Sequence, residues 1–197
     1  MNRLEVFERE FNMIGDSALR NFAEHVLEQV EPYFFFVPSS STKKYHSKQS
    51  NVVGSEECTG GLVNHTKSTV YFADRLCRGY DITGKDRDII IIACVYHDCL
   101  KFSKPMQRWT TKDHDKEGAD FVYRVYKQGN FPDVDKEDVV KICKAISWHF
   151  GRFTTEDRRK KFPEEYTTSE LIVHLADLVS ASKEVNLEFL EQSSLIG

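Results

Sequence analysis

The run Asp88-Ile-Ile-Ile-Ile-Ala-Cys-Val-Tyr96, followed at once by His97-Asp98, constrains this chain more than any other stretch. A segment apolar on nearly every side must be covered on most of them, so the rest of the chain has to build a shell around it. The two polar residues at its end need partners, because a polar group buried without one costs about 2–7 kcal/mol. The chain offers a set of partners: His65 before the run, then His114, His149 and Asp177 after it. A carboxylate and an imidazole side by side, with further imidazoles arriving from other segments, point to a metal site.

The segments around the run read as helices. Leu4, Phe7, Phe11 and Ile14 share a helical face that Gly15 can close. Asp16 or Ser17 can cap a second helix carrying Leu19, Phe22, Val26 and Val30 inward, which Pro32 ends. Tyr33–Val37 is a short apolar piece, strand-like or a buried link, and a long polar loop then runs to Gly60-Gly61. A loop of that length in a compact domain is either mobile or functional. From Leu62 helical spacing dominates. Leu62, His65, Thr69, Phe72 and Leu76 form one face, and Gly79 ends the helix. The apolar helix spans Asp86 to Leu100, another spans Lys116 to Lys127, and Asp135 can cap one running to about His149 with Val139, Ile142, Cys143 and Ile146 inward. A last helix starts near Thr168 or Ser169, with Leu171, His174, Leu175 and Leu178 on its faces and Val185 as a further candidate. No strand of period two stands out, so the expected fold is an all-α bundle. Residues 1–37 read as an N-terminal helical extension packed on a domain spanning 38–197.

Composition narrows the function. At 197 residues and 40% hydrophobic content the chain can bury a real core. A net charge of −4 argues against long nucleic acid as the partner, while leaving room for a local basic pocket that takes a small phosphate ester. Five cysteines without a CxxC pair read as reduced thiols, and no apolar stretch approaches the roughly 20 residues that span a bilayer. A cytoplasmic protein without a membrane partner is expected.

Helix bundles build metal sites from residues that point inward from facing helices. His65 lies near the start of its helix, His97-Asp98 at the end of the apolar one, His114 before a helix in Asp113-His-Asp-Lys-Glu-Gly-Ala119, His149 at a helix end and Asp177 mid-helix. In order and spacing this set resembles the HD-domain phosphohydrolase superfamily: a histidine, an adjacent His-Asp pair, two further histidines in the dinuclear branches, and a distant aspartate. The Gly118-Ala119 pair, Ala176 before Asp177, and Lys101 three residues after Asp98 share the likeness. Pro38-Ser-Ser-Ser with Lys44-Tyr-His46, ahead of Gly60-Gly61, is similar to the lead-in of HD proteins related to the HD exoribonucleases.

The resemblance implies an HD-type helical bundle with two divalent transition-metal ions. Asp98 would bridge them, His65, His97 and Asp177 completing one and His114 and His149 the other. A mixed imidazole and carboxylate set suits Mn, Fe, Co, Ni or Zn better than Mg or Ca. The implied reaction is attack of a metal-bridging hydroxide on phosphorus in a nucleotide or similar small phosphate ester. Lys101, one turn past Asp98 with its ammonium free, is the candidate for neutralising the phosphoryl oxygens. Lys44, His46, Arg108, Trp109 and Arg152 are candidate substrate contacts, with Trp109 able to stack on a base. His174, one turn before Asp177, is a candidate supporting residue. A 3′–5′ exonuclease of short oligonucleotides and a non-catalytic nucleotide- or metal-sensing module remain open as alternatives.

Overall fold

Local chemistry sets the helix boundaries. The computed structural model describes residues 2–40, 59–107, 110–151, 161–182 and 187. Helices α1 (Arg3–Val6) and α2 (Glu8–Phe11) are two single turns. The single face expected from Leu4 to Ile14 is thus broken at Phe7, whose φ of −116° is not helical. The face still buries: Phe7, Phe11 and Ile14 are all in the core. Asp16 caps α3 (Ser17–Gln29), accepting hydrogen bonds from the N–H groups of Ala18 and Leu19. Pro32–Phe35 forms a 3-10 turn, so the Tyr33–Val37 stretch is a buried link and not a strand.

Five longer helices follow: α4 (Gly61–Gly79), α5 (Gly84–Tyr96), α6 (His114–Gln128), α7 (Lys136–Trp148) and α8 (Thr168–Ser180). The Asp135 carboxylate caps α7 through the Glu137 N–H, and Thr167 with Glu170 forms a capping box on α8. No strand occurs among the described residues. None of the described helices is long and apolar enough to cross a membrane.

The apolar helix is the axle of the bundle. Every residue of α5 from Asp88 to Tyr96 is buried, and α3, α4, α6, α7 and α8 all pack against it. The N-terminal segment is stitched to the same helix. Asp88 accepts hydrogen bonds from the N–H groups of Gly15 and Asp16, Arg87 donates to Met13 O, and the Tyr96 hydroxyl donates to Ala23 O. One continuous hydrophobic cluster contains Phe7, Phe22 and Phe34 from the first 37 residues together with Ile91, Val122, Ile142 and Val173 from the rest.

The spacing of the apolar residues in α8 leaves its inward face open, and the structure selects one. Ile172, Val173, Ala176 and Ser180 are buried, while Leu178 is 44% exposed. This helix is apolar nearly all round, so spacing alone does not select a face. Its orientation follows the polar residues: His174 and Ser180 face the bundle and hold partners there. Val185 lies outside the described residues. Cys77, Cys94, Cys99 and Cys143 are free thiols.

Candidate metal centre

Five helix ends and helix faces converge beside the C-terminus of α5. His65 comes from the second turn of α4, His97 and Asp98 follow α5, His114 opens α6, His149 follows α7 and Asp177 sits near the end of α8. The six side chains form two trios: His65, His97 and Asp177, then Asp98, His114 and His149. Within each trio one ligand atom per residue lies within 4.8 Å of the others. His65, His97, Asp98, His114 and His149 are buried, and the Asp177 side chain is 19% exposed.

Asp98 stands between the trios. Its Oδ2 lies 3.5 Å from His65 Nε2 and 3.4 Å from His97 Nε2. Its Oδ1 faces the other way, 3.3 Å from His114 Nε2 and 3.7 Å from His149 Nε2. Asp177 Oδ1 closes the first trio, 3.0 Å from His65 Nε2 and 3.5 Å from His97 Nε2. Oδ1 of Asp98 is fully buried and accepts no hydrogen bond of good geometry. A carboxylate oxygen buried in this way among imidazole nitrogens has no hydrogen to accept, which fits a cation held within the trio of Asp98, His114 and His149.

The imidazoles are aimed by helix-end chemistry. The last carbonyls of a helix have no partner within it. His97 Nδ1–H donates to Cys94 O at 2.7 Å, and His149 Nδ1–H donates to Ile146 O at 2.7 Å, each using such a carbonyl of its own helix. His114 Nδ1–H donates to Thr111 O at 2.7 Å. A carbonyl only accepts, so these three rings carry a proton on Nδ1 and turn Nε2 to the centre. His65 has a different support, with Ser180 Oγ 3.2 Å from its Nδ1. Ser180 in turn lies 2.8 Å from Thr69 Oγ1, and Thr69 donates back to His65 O at 3.0 Å. His174 acts on the backbone: its Nδ1–H donates to His149 O at 2.6 Å, holding the end of α7.

The electrostatics of the centre favour positive charge. Burial works against a charged His97, but Asp98 and Asp177 outweigh it and push its pKa up to about 10. Burial likewise opposes ionisation of Asp98 and Asp177. For Asp98 the Lys101 ammonium and His97 prevail, for Asp177 His65 and His97, and both carboxyls are held well below their ordinary range. His149 shifts downward because burial dominates there.

Lys101 is buried and its ammonium sits on Asp98 Oδ2. The expectation of a free ammonium at this position is therefore corrected: three residues along the chain do place it on the same side, but it is captured by the nearest carboxylate. Lys67 and Lys104, also near the ligand segments in sequence, point elsewhere, Lys67 toward Glu10 and Lys104 toward Glu31. Lys44, His46, Arg108, Trp109 and Arg152 lie outside the described residues. Ser180 and Thr111 were not singled out from the sequence. Ser180 carried a usable signal, since it follows Asp177 by three residues and so shares its helix face.

An all-α bundle with paired His and Asp trios at the end of its central helix defines a class of metal-binding helical protein. The family model for the HD domain matches residues 62–182, more than half of the chain, and the chain belongs to that family. No curated protein matches the sequence, and no solved structure matches it. HD domains bind divalent metals and constitute a superfamily of metal-dependent hydrolases.

Proposed function

We propose that the protein is a metal-dependent phosphohydrolase that acts on a nucleotide or similar small phosphate ester. The observation that carries this reading is the division of Asp98: one oxygen faces His65 and His97, the other faces His114 and His149. Such a division suits a carboxylate shared by two ions of Mn, Fe, Co, Ni or Zn, with His65, His97 and Asp177 holding one and His114 and His149 the other. Two ions of this kind, when bound, lower the pKa of a water and neutralise phosphoryl oxygens.

The chain's own residues supply the remainder. The Nδ1–H bonds to backbone carbonyls fix the orientation of His97, His114 and His149, so each turns Nε2 to the centre without rotating. Lys101 reaches the centre from one turn past Asp98, and its ammonium can move from Asp98 to a phosphoryl oxygen as that oxygen gains charge. The buried imidazoles exclude bulk water from the inner side of the centre, which strengthens these interactions.

The test is a metal analysis of the purified protein followed by a panel of nucleoside mono-, di- and triphosphates and a short oligonucleotide with Mn²⁺ or Co²⁺ added. Release of phosphate or nucleoside from a mononucleotide, lost in Asp98→Ala, is the expected result. Shortening of the oligonucleotide alone would replace this reading with the exonuclease. Metal bound with no turnover on any member would replace it with a sensing module.

A further inference from the structure

A second cationic cavity lies on the opposite side of α4 from the metal centre. Its volume is about 180 Å³, and it opens between α2, the outer face of α4 and the first turn of α5. Five cations line it: Arg9, Lys67, Arg75, Arg78 and Arg87. Two carboxylates, Glu10 and Asp74, line it with them, and Asp88 lies 3.9 Å from Arg87 Nη1 just outside it. This local excess of positive charge stands out in a chain whose net charge is −4.

The floor is built from buried charge. Lys67 is 3% exposed and its Nζ lies 3.6 Å from Glu10 Oε2. Asp74 is 5% exposed and accepts from Arg87 Nε at 3.1 Å and Arg87 Nη2 at 2.7 Å, with Arg78 Nη2 3.0 Å from its other oxygen. Arg87 also donates to Met13 O, which fixes the guanidinium in place. These contacts account for Lys67 and Arg87 as ties between the N-terminal segment and the bundle. They do not account for Arg75, which is exposed, stacks on the Tyr71 ring with 5.0 Å between Cζ and centroid, and has no carboxylate in ion-pair range among the described residues. A guanidinium over an aromatic ring, with no carboxylate to hold it, has N–H groups left for a planar or tetrahedral anion.

We propose that this cavity binds an oligophosphate, either as an inorganic chain or as the phosphate tail of a nucleotide. Concave walls of low dielectric focus the field of the five cations into one small volume. That volume is below the roughly 300–1,000 Å³ of pockets that enclose a drug-sized molecule, so it takes phosphates and not a whole nucleoside. A concave pocket, as opposed to a long basic stripe, favours a small anion over a nucleic-acid strand. The site is independent of the hydrolytic reading, although both use α4: His65 projects from one face and Lys67, two residues on, from the other.

Isothermal titration of the full chain with inorganic triphosphate, ATP and a short single-stranded RNA tests the site. It is run on the wild type, on Asp98→Ala, and on the double variant Arg75→Ala/Arg78→Ala, whose two positions are exposed and whose loss leaves the buried Asp74 paired with Arg87, with folding checked by circular dichroism. Binding of triphosphate that survives Asp98→Ala and weakens at least about tenfold in the double variant is expected, since charge-assisted contacts are removed. Equal affinity for triphosphate and ATP assigns the inorganic chain as sufficient, and tighter ATP binding assigns the nucleotide; either supports the cavity. Three results would overturn it: no triphosphate or ATP binding by the wild type, binding lost in Asp98→Ala but not in the double variant, or binding of RNA alone.

Discussion

Replacing Asp98 by asparagine should uncouple the protein's stability from metal. The amide has the carboxylate's shape but no charge to share between the trios, so both ion positions lose their common anion. A ligand that binds only the folded state stabilises it by about 2.7 kcal/mol at a concentration a hundred times its dissociation constant. In a chain of this size 1 kcal/mol moves the melting temperature by roughly 2–4 °C. One ion is therefore worth about 5–11 °C at that concentration, and two ions about twice as much. The assay is a melting curve with and without added Mn²⁺, Co²⁺ or Ni²⁺, paired with metal stoichiometry by mass spectrometry. Wild type should show the full shift and Asp98→Asn close to none. His114→Ala should show about half, because only the second trio is incomplete. The baseline of Asp98→Asn will also drop, by roughly 3 kcal/mol, since the Lys101 ammonium is left buried against an amide. For that reason the metal-induced shift, and not the absolute melting point, is the quantity compared. A full shift retained in Asp98→Asn would refute the shared-carboxylate argument.

Further outcomes follow from the same geometry. Lys101→Ala should keep bound metal and lower kcat by about a hundredfold, read from steady-state kinetics with metal analysis in parallel. Ser180→Ala, which removes the group beside His65 Nδ1, should weaken metal affinity about 10–100-fold in a chelator competition while leaving the helical circular-dichroism spectrum unchanged. Two glycines should respond in opposite ways to alanine. At Gly60 a Cβ would lie 2.4 Å from the Phe36 carbonyl carbon, so Gly60→Ala should lose several kcal/mol or fail to fold, about 3 or more by denaturant titration. At Gly118 the nearest atoms are 3.5 Å away, an ordinary contact, so Gly118→Ala should change stability by no more than about 1 kcal/mol and should gain from the helix preference of alanine.

Some parts of this molecule are written in local chemistry and others are not. The boundaries of α3 and α7 follow from Asp16 and Asp135, because a capping bond is made within three residues. The central helix follows from its unbroken apolar run. The convergence of His65, His97-Asp98, His114, His149 and Asp177 is visible in their order, because buried polar groups at helix ends need one another. What depends on tertiary packing is hidden. The break at Phe7, whose ring packs on Phe11 and Phe34, is not foreshadowed by the spacing, because Phe7 and Phe11 would share a face of an unbroken helix as well. The buried face of α8 is ambiguous in an apolar sequence and is set by Ser180 and His174 finding His65 and His149. The gathering of Arg9, Lys67, Arg75, Arg78 and Arg87 into one cavity joins three helices, and no local pattern announces it; the capture of Lys101 by Asp98, three residues back, is by contrast a local contact.

The central helix also bears on how the chain is made. Residues Asp88 to Tyr96 are synthesised before α6, α7 and α8, three of the helices that will cover them. The stretch from His97 to Ser180 takes roughly 4–17 s to produce at about 5–20 residues per second. Until those helices are in place, only α3 and α4 among its five covering helices are available to shield the apolar segment. Exposed apolar surface of this kind is prone to aggregate, so the yield of the protein in a cell should rise when chaperones that bind nascent chains are supplied in excess.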